Sequence, residues 1–167
     1  MRTYFLLIRW LAAIIILPGT VLILVPFLLL KNNTSLTIFG FYGTGLVAGL
    51  PGLFFSLWSA FHCIRYGNGT AAPWDPPKLF IASGPYRFSR NPMILGVMLL
   101  LLSEAIVFTS IKLLLWCILF TAINLLYIPL MEEKGLERRF GAEYLNYKRL
   151  TPRWIPLTFF KIRKKAP

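Results

Sequence analysis

The chain has 167 residues, 57% of them hydrophobic and 14% charged, with a net charge of +12 and a mean hydropathy of +0.66. That balance excludes an ordinary soluble domain, and the length leaves little for one beside several membrane crossings of about 20 residues each. The bases cluster at the ends of apolar runs, which reads as a topology signal and argues against nucleic acid as a partner.

Four runs are predicted to cross. Trp10 to Leu30 is uncharged over 21 residues, Asn32 to Ile64 over 33 and Leu113 to Met131 over 19, while Pro92 to Ile111 carries only Glu104. The first run is too long for a signal-peptide core and lacks a small-residue cleavage site, so it is expected to be retained. With four crossings, 16 of the 18 basic residues fall on one side, and only Lys31 and Lys112 fall on the other. The positive-inside pattern then predicts a multi-pass protein of the cytoplasmic or inner membrane with both termini cytoplasmic. The closing KIRKK adds attraction to anionic membrane lipids.

In the first run Pro18, Gly19 and Pro26 are expected to bend the helix, which neighbouring helices can accommodate. The second run carries Gly45 and Gly49 in G-x-x-x-G spacing with Gly52 one turn on, a face where another helix packs closely. Residues 1–66 therefore read as a two-helix scaffold and 67–167 as the region that carries chemistry. Cys63, Cys117 and the single histidine, His62, do not make up the three or four ligands of a metal site, so no metal is expected.

The middle loop, NGTAAPWDPPKLFIASGPYRFSR, is too rich in Pro, Gly and Ala for a regular helix. Lys78 to Ala82 reads as a short extended segment, closed by a turn at Ser83-Gly84-Pro85. Asn91 and Pro92 suit the N-cap and first position of the third helix. The free N–H groups of that helix start, with Arg87 and Arg90 nearby, suit an anionic group. Within the spans, Glu104 reads as a helix-to-helix hydrogen-bonding residue and Asn124 as a candidate lining for a substrate tunnel. After the fourth run the acids Glu132 and Glu133 stand together at the end of the span with no obvious single partner, a pattern that solvation alone accounts for. Leu136, Phe140, Tyr144 and Tyr147 then form an apolar stripe on a charged helix, expected to lie on the membrane as an interfacial anchor.

Two motifs in order, GPYRFSRNPMILG and EEKGLERRFGAEYLNYKRLTPRWIP, resemble those of the isoprenylcysteine carboxyl methyltransferase family and its phospholipid methyltransferase relatives. The resemblance spans Asp75 to Pro156. It implies an all-α polytopic membrane protein with about four transmembrane helices, a cytoplasmic interfacial C-terminal helix, and an S-adenosylmethionine site at the cytoplasmic face. The cofactor contacts it implies are Lys78, Leu79, Phe80, Ile81, Tyr86, Asn91, Pro92, Met93, Ile94 and Glu132.

Methyl transfer is an in-line displacement that needs alignment and exclusion of water more than a nucleophilic triad. Should the acceptor need to lose a proton, Glu133 and Tyr147 are the candidate catalytic bases. Asn91 and Ile94 replace the family's usual His and Tyr, and Ile128 stands where prenylcysteine enzymes place an arginine. The apolar Ile128, with Asn124, is thus expected to meet a lipophilic small molecule or lipid entering from the bilayer. Phospholipid N-methylation and a non-catalytic scaffold or carrier retaining the fold are the alternatives.

Overall fold

The computed structural model describes residues 16–31, 42–67 and 77–154; Arg2, Arg9, Asp75, Pro156 and the closing KIRKK lie outside the described residues. The described residues are helical apart from turns and the loop before the third helix, with no strand among them. The helices are α1 (Ile16–Leu30), α2 (Tyr42–Gly67), α3 (Pro92–Val107), α4 (Ile111–Tyr127) and α5 (Glu133–Leu150). Among the described residues two stretches are long and apolar enough to cross a membrane, Gly43–Gly67 and the continuous Ile111–Leu150, while Ile16–Leu30 and Pro92–Val107 are shorter apolar helices.

The prolines shape two of these helices in one way. Thr20–Leu24 is a π-helical stretch, and the Val25 N–H reaches Thr20 O. In that register Pro26 would pair with Val21 O but has no N–H to offer. The Trp116 indole N–H donates to Val21 O instead, at 3.1 Å, and so ties α4 to α1. Pro129 sits in the second π stretch, Ile128–Glu132, through which α4 runs on into α5.

The small-residue face of α2 packs against α3 as its spacing predicts. A Cβ on Gly52 would fall 2.8 Å from Gly96 O, and one on Gly49 would fall 2.6 Å from the Ser103 hydroxyl. Ser103 also donates to Gly45 O at 2.6 Å across the same seam. The helix-to-helix bond expected of Glu104 is thus made by its neighbour, and one buried Glu104 oxygen has no partner among the described residues. Val97, Leu101 and Cys117 form the core between α3 and α4. Thr109, at φ 44°, turns the chain between those two helices.

The C-terminal segment follows α4 without a loop, through the second π stretch, and α5 is broken at Gly141 (φ 52°, ψ −126°). No side chain crowds Gly141, so its backbone angles, closed to most L-residues, are the reason for glycine. Beyond that break Tyr144 and Tyr147 are 1% and 8% exposed. The end of the stripe packs on protein: the ring of Phe80 lies against both, at centroid distances of 6.1 and 5.3 Å.

Candidate functional site

Three segments meet below the apolar runs: the end of α2 with the loop 77–91, the junction of α4 with α5, and the end of α5 with residues 151–154. The loop is anchored first by backbone. Lys78 and Leu79 N–H both donate to Gly67 O, at 2.8 and 3.2 Å, and Arg139 donates to Pro77 O at 3.3 Å. Lys78 and Leu79 stay exposed, while Phe80 and Ile81 are half-buried. Phe80 stacks among Phe140, Tyr144 and Tyr147. The segment has no regular extended structure; it is a bend held by one carbonyl.

Gly84–Arg87 forms a 3₁₀ turn, which places Tyr86 inward. The Tyr147 hydroxyl donates to Tyr86 O at 2.7 Å. Burial, then the neighbouring Cys63, Tyr147 and Glu132, push the Tyr86 pKa well up, so its phenol stays protonated. Glu132, just past the last apolar residue, keeps an exposed surface. Its pKa is nevertheless raised, by desolvation first and by Glu133 second, against the pull of Arg139. Among the described residues Glu132 makes no hydrogen bond or ion pair, which leaves all its acceptor capacity for a ligand.

Glu133 is the opposite case. It is 2% exposed and receives Arg90 at 2.7 Å, Arg153 in a bidentate pair at 2.8 and 2.9 Å, and Lys148 at 3.4 Å. Burial pushes its pKa up, but the Arg153 hydrogen bonds and the charges of Arg90, Arg153 and Lys148 outweigh that and hold it below the usual carboxylate range. A carboxylate so held does not take up a proton near neutrality, so the base role expected of Glu133 is corrected to an ionic hub. Tyr147 is corrected likewise: burial raises its pKa far above neutral, and its hydroxyl is spent on Tyr86 O. Tyr144, pushed by burial to about 12, stays protonated beside it.

Asn91 and Pro92 hold the N-cap and first position of α3, but the Asn91 side chain makes no cap bond. It donates to Arg153 O at 3.4 Å, Ser89 donates to the same carbonyl at 2.9 Å, and Arg90 N–H reaches Pro152 O at 2.9 Å. The helix start is thus covered by residues 151–154, and Arg90 is committed to Glu133. Of the two arginines expected beside an anionic group there, Arg87 is the one that stays exposed. Pro92 is fully buried, which leaves it no surface for a ligand, and the contacts left at this helix start are the half-buried Met93 and Ile94. Ile128 is 0% exposed, so it is packing and not a wall that meets substrate. Asn124 is half-buried and donates to Phe120 O of its own helix at 2.9 Å.

What sequence reading missed is the set of basic partners of Glu133, which lie 43 and 20 residues away for Arg90 and Arg153. Also missed is the end of α2, where His62 is bonded to Ser83 at 2.8 Å. No local pattern announces either pairing. The described residues contain no cluster of metal-ligating side chains, and neither Cys63 nor Cys117 is in a disulfide.

No curated protein and no solved structure is significantly similar to the chain. A family model for phospholipid methyltransferases matches residues 44–143. The match takes in α2, the loop with Tyr86, both helices of the hairpin and the Glu132-Glu133 junction. The chain therefore belongs to the phospholipid methyltransferase family of membrane methyltransferases.

Proposed function

We propose that this membrane methyltransferase uses S-adenosylmethionine and delivers its methyl group to a lipophilic acceptor at the cytoplasmic face of the membrane. The observation that carries the reading is the convergence of Tyr86 with an unpaired, desolvated Glu132 from a segment distant in sequence. These residues fit a zwitterionic sulfonium: Glu132 can accept from its ammonium or ribose hydroxyls, and the Tyr86 ring offers a π face to positive charge. Phe80 and Ile81, with Met93 and Ile94, supply apolar walls, and the backbone of Lys78 and Leu79 lies open at the rim. When bound, the cofactor supplies an activated methyl group. The chain's own part is to hold the cofactor's charged ends, align the acceptor and exclude water.

Placing the site at the cytoplasmic face rests on the charge distribution. Arg65, Lys78, Arg87, Arg90 and the bases of α5 all fall on the same side in a four-crossing arrangement with cytoplasmic termini. The family description favours a lipid amine as acceptor over a prenylcysteine carboxylate. An ammonium must lose a proton before attack. Glu133, held by its bases, and Tyr147, spent on Tyr86 O, are unsuited to take that proton from the acceptor.

Calorimetric titration of the purified protein with S-adenosylmethionine tests the cofactor. Binding that falls more than about tenfold in Glu132→Gln is expected, and no binding by the parent sinks the reading. Radiolabelled methyl appearing in phosphatidylethanolamine derivatives identifies the lipid amine. Label confined to another lipid or thiol fraction excludes it.

A further inference from the structure

The end of α2, a scaffold helix by sequence, reaches the site through two consecutive residues. On a helix, neighbours point about 100° apart, and here one serves each side of the Gly84–Arg87 turn. Cys63, 1% exposed, lies against the Tyr86 phenol. The His62 ring lies over Gly84 and is hydrogen-bonded through Nε2 to the Ser83 hydroxyl at 2.8 Å. It also stands 4.5 Å from the Tyr66 ring and 6.4 Å from that of Tyr86.

Gly84 records how closely the imidazole sits. A Cβ there would fall 2.6 to 2.8 Å from three atoms of the His62 ring, and the backbone adopts φ +59°, where L side chains are strained. Turn and ring therefore fit only as a pair. On the far side the turn is held by the Tyr147 hydroxyl on Tyr86 O. Tyr86 is gripped from two directions, and one grip comes from a helix with no part in the motifs that suggest the cofactor.

We propose that His62 is a positioning residue for cofactor binding, which acts by fixing the Ser83-Gly84 turn so that Tyr86 presents its ring to the bound cofactor. It makes no contact with the reacting atoms. The inference rests on the cofactor reading above and adds to it a residue from α2.

The test measures S-adenosylmethionine affinity by calorimetry, and KM and kcat by methyl transfer to native lipid extract, on the full-length protein in detergent. His62→Ala and Ser83→Ala should each raise Kd and KM for the cofactor about 3- to 10-fold, the scale of one hydrogen bond, with kcat at saturating cofactor within about twofold. His62→Gln, whose amide can restore a bond to Ser83, should recover most of the loss. A merely structural histidine would lower the yield of folded protein without this split and without rescue. Should His62→Ala fail to fold, Ser83→Ala carries the test alone, since it removes the same bond from an exposed residue.

Parent-like Kd in Ser83→Ala, or a fall in kcat with unchanged KM, overturns the proposal. A parent protein that binds no S-adenosylmethionine overturns the cofactor reading itself, which is a different result from parent binding that His62 and Ser83 do not affect.

Discussion

Replacing Glu133 with glutamine removes one charge and tests what holds the C-terminal strap over the site. The side chain of Glu133 is 3% exposed and that of Arg90 10%, so this pair is effectively buried. Arg153 and Lys148, at 31% and 36%, are partly screened by water and add less. Removing one partner of a buried pair costs about 3 to 5 kcal/mol, because the other charge is left uncompensated. Glutamine keeps one acceptor oxygen, so the lower end, about 3 kcal/mol, applies to opening of the strap.

The amides to watch are Arg90 N–H on Pro152 O and Thr151 N–H on Tyr147 O. In native-state hydrogen exchange, a local opening made easier by about 3 kcal/mol speeds exchange roughly a hundredfold. Amides in the α2–α3 seam should not change. Acceleration below about threefold at Arg90 and Thr151, or equal acceleration in the seam, would refute the hub as a local latch.

The same hub predicts a direction with pH. The Glu133 pKa is lower folded than unfolded, so its stabilisation is complete above the ordinary carboxylate range and is lost as pH falls through its depressed folded value. Protection of the Thr151 amide, taken relative to the intrinsic exchange rate at each pH, should fall on acidification in the parent and stay flat in Glu133→Gln. Tyr147→Phe should weaken S-adenosylmethionine binding about 3- to 10-fold by releasing Tyr86 O, while the pH–rate profile keeps its shape; loss of a rise of rate with pH would restore Tyr147 as a base. Gly52→Ala should destabilise the protein by about 2 kcal/mol or more, because its Cβ meets the backbone at Gly96. Gly135→Ala, which meets nothing within 4 Å, should stabilise by about 0.5 to 1 kcal/mol. Thermal unfolding in one detergent compares the two, and equal shifts would remove the packing argument.

Periodicity and composition alone determined the apolar helices, the glycine face of α2, the break in regular structure before α3 and the Asn91-Pro92 helix start. Each of these follows from neighbours within one turn or from the energy of burying charge in lipid, so it is written locally. The roles of the charged and aromatic residues were not. Glu132 and Glu133 are identical side chains one position apart. Only the tertiary structure sends one to three bases and leaves the other desolvated and unpaired, because a carboxylate's pKa is set by what surrounds it in space.

Tyr144 and Tyr147 read equally well as a membrane anchor until the backbone of Gly141 turns them onto Phe80. Ile128, one helical turn before Glu132, reads as a substrate wall until its burial removes it. His62 on α2 and Ser83 in the loop, 21 residues apart, meet only because the α2–α3 seam brings the end of α2 down onto the Gly84 turn.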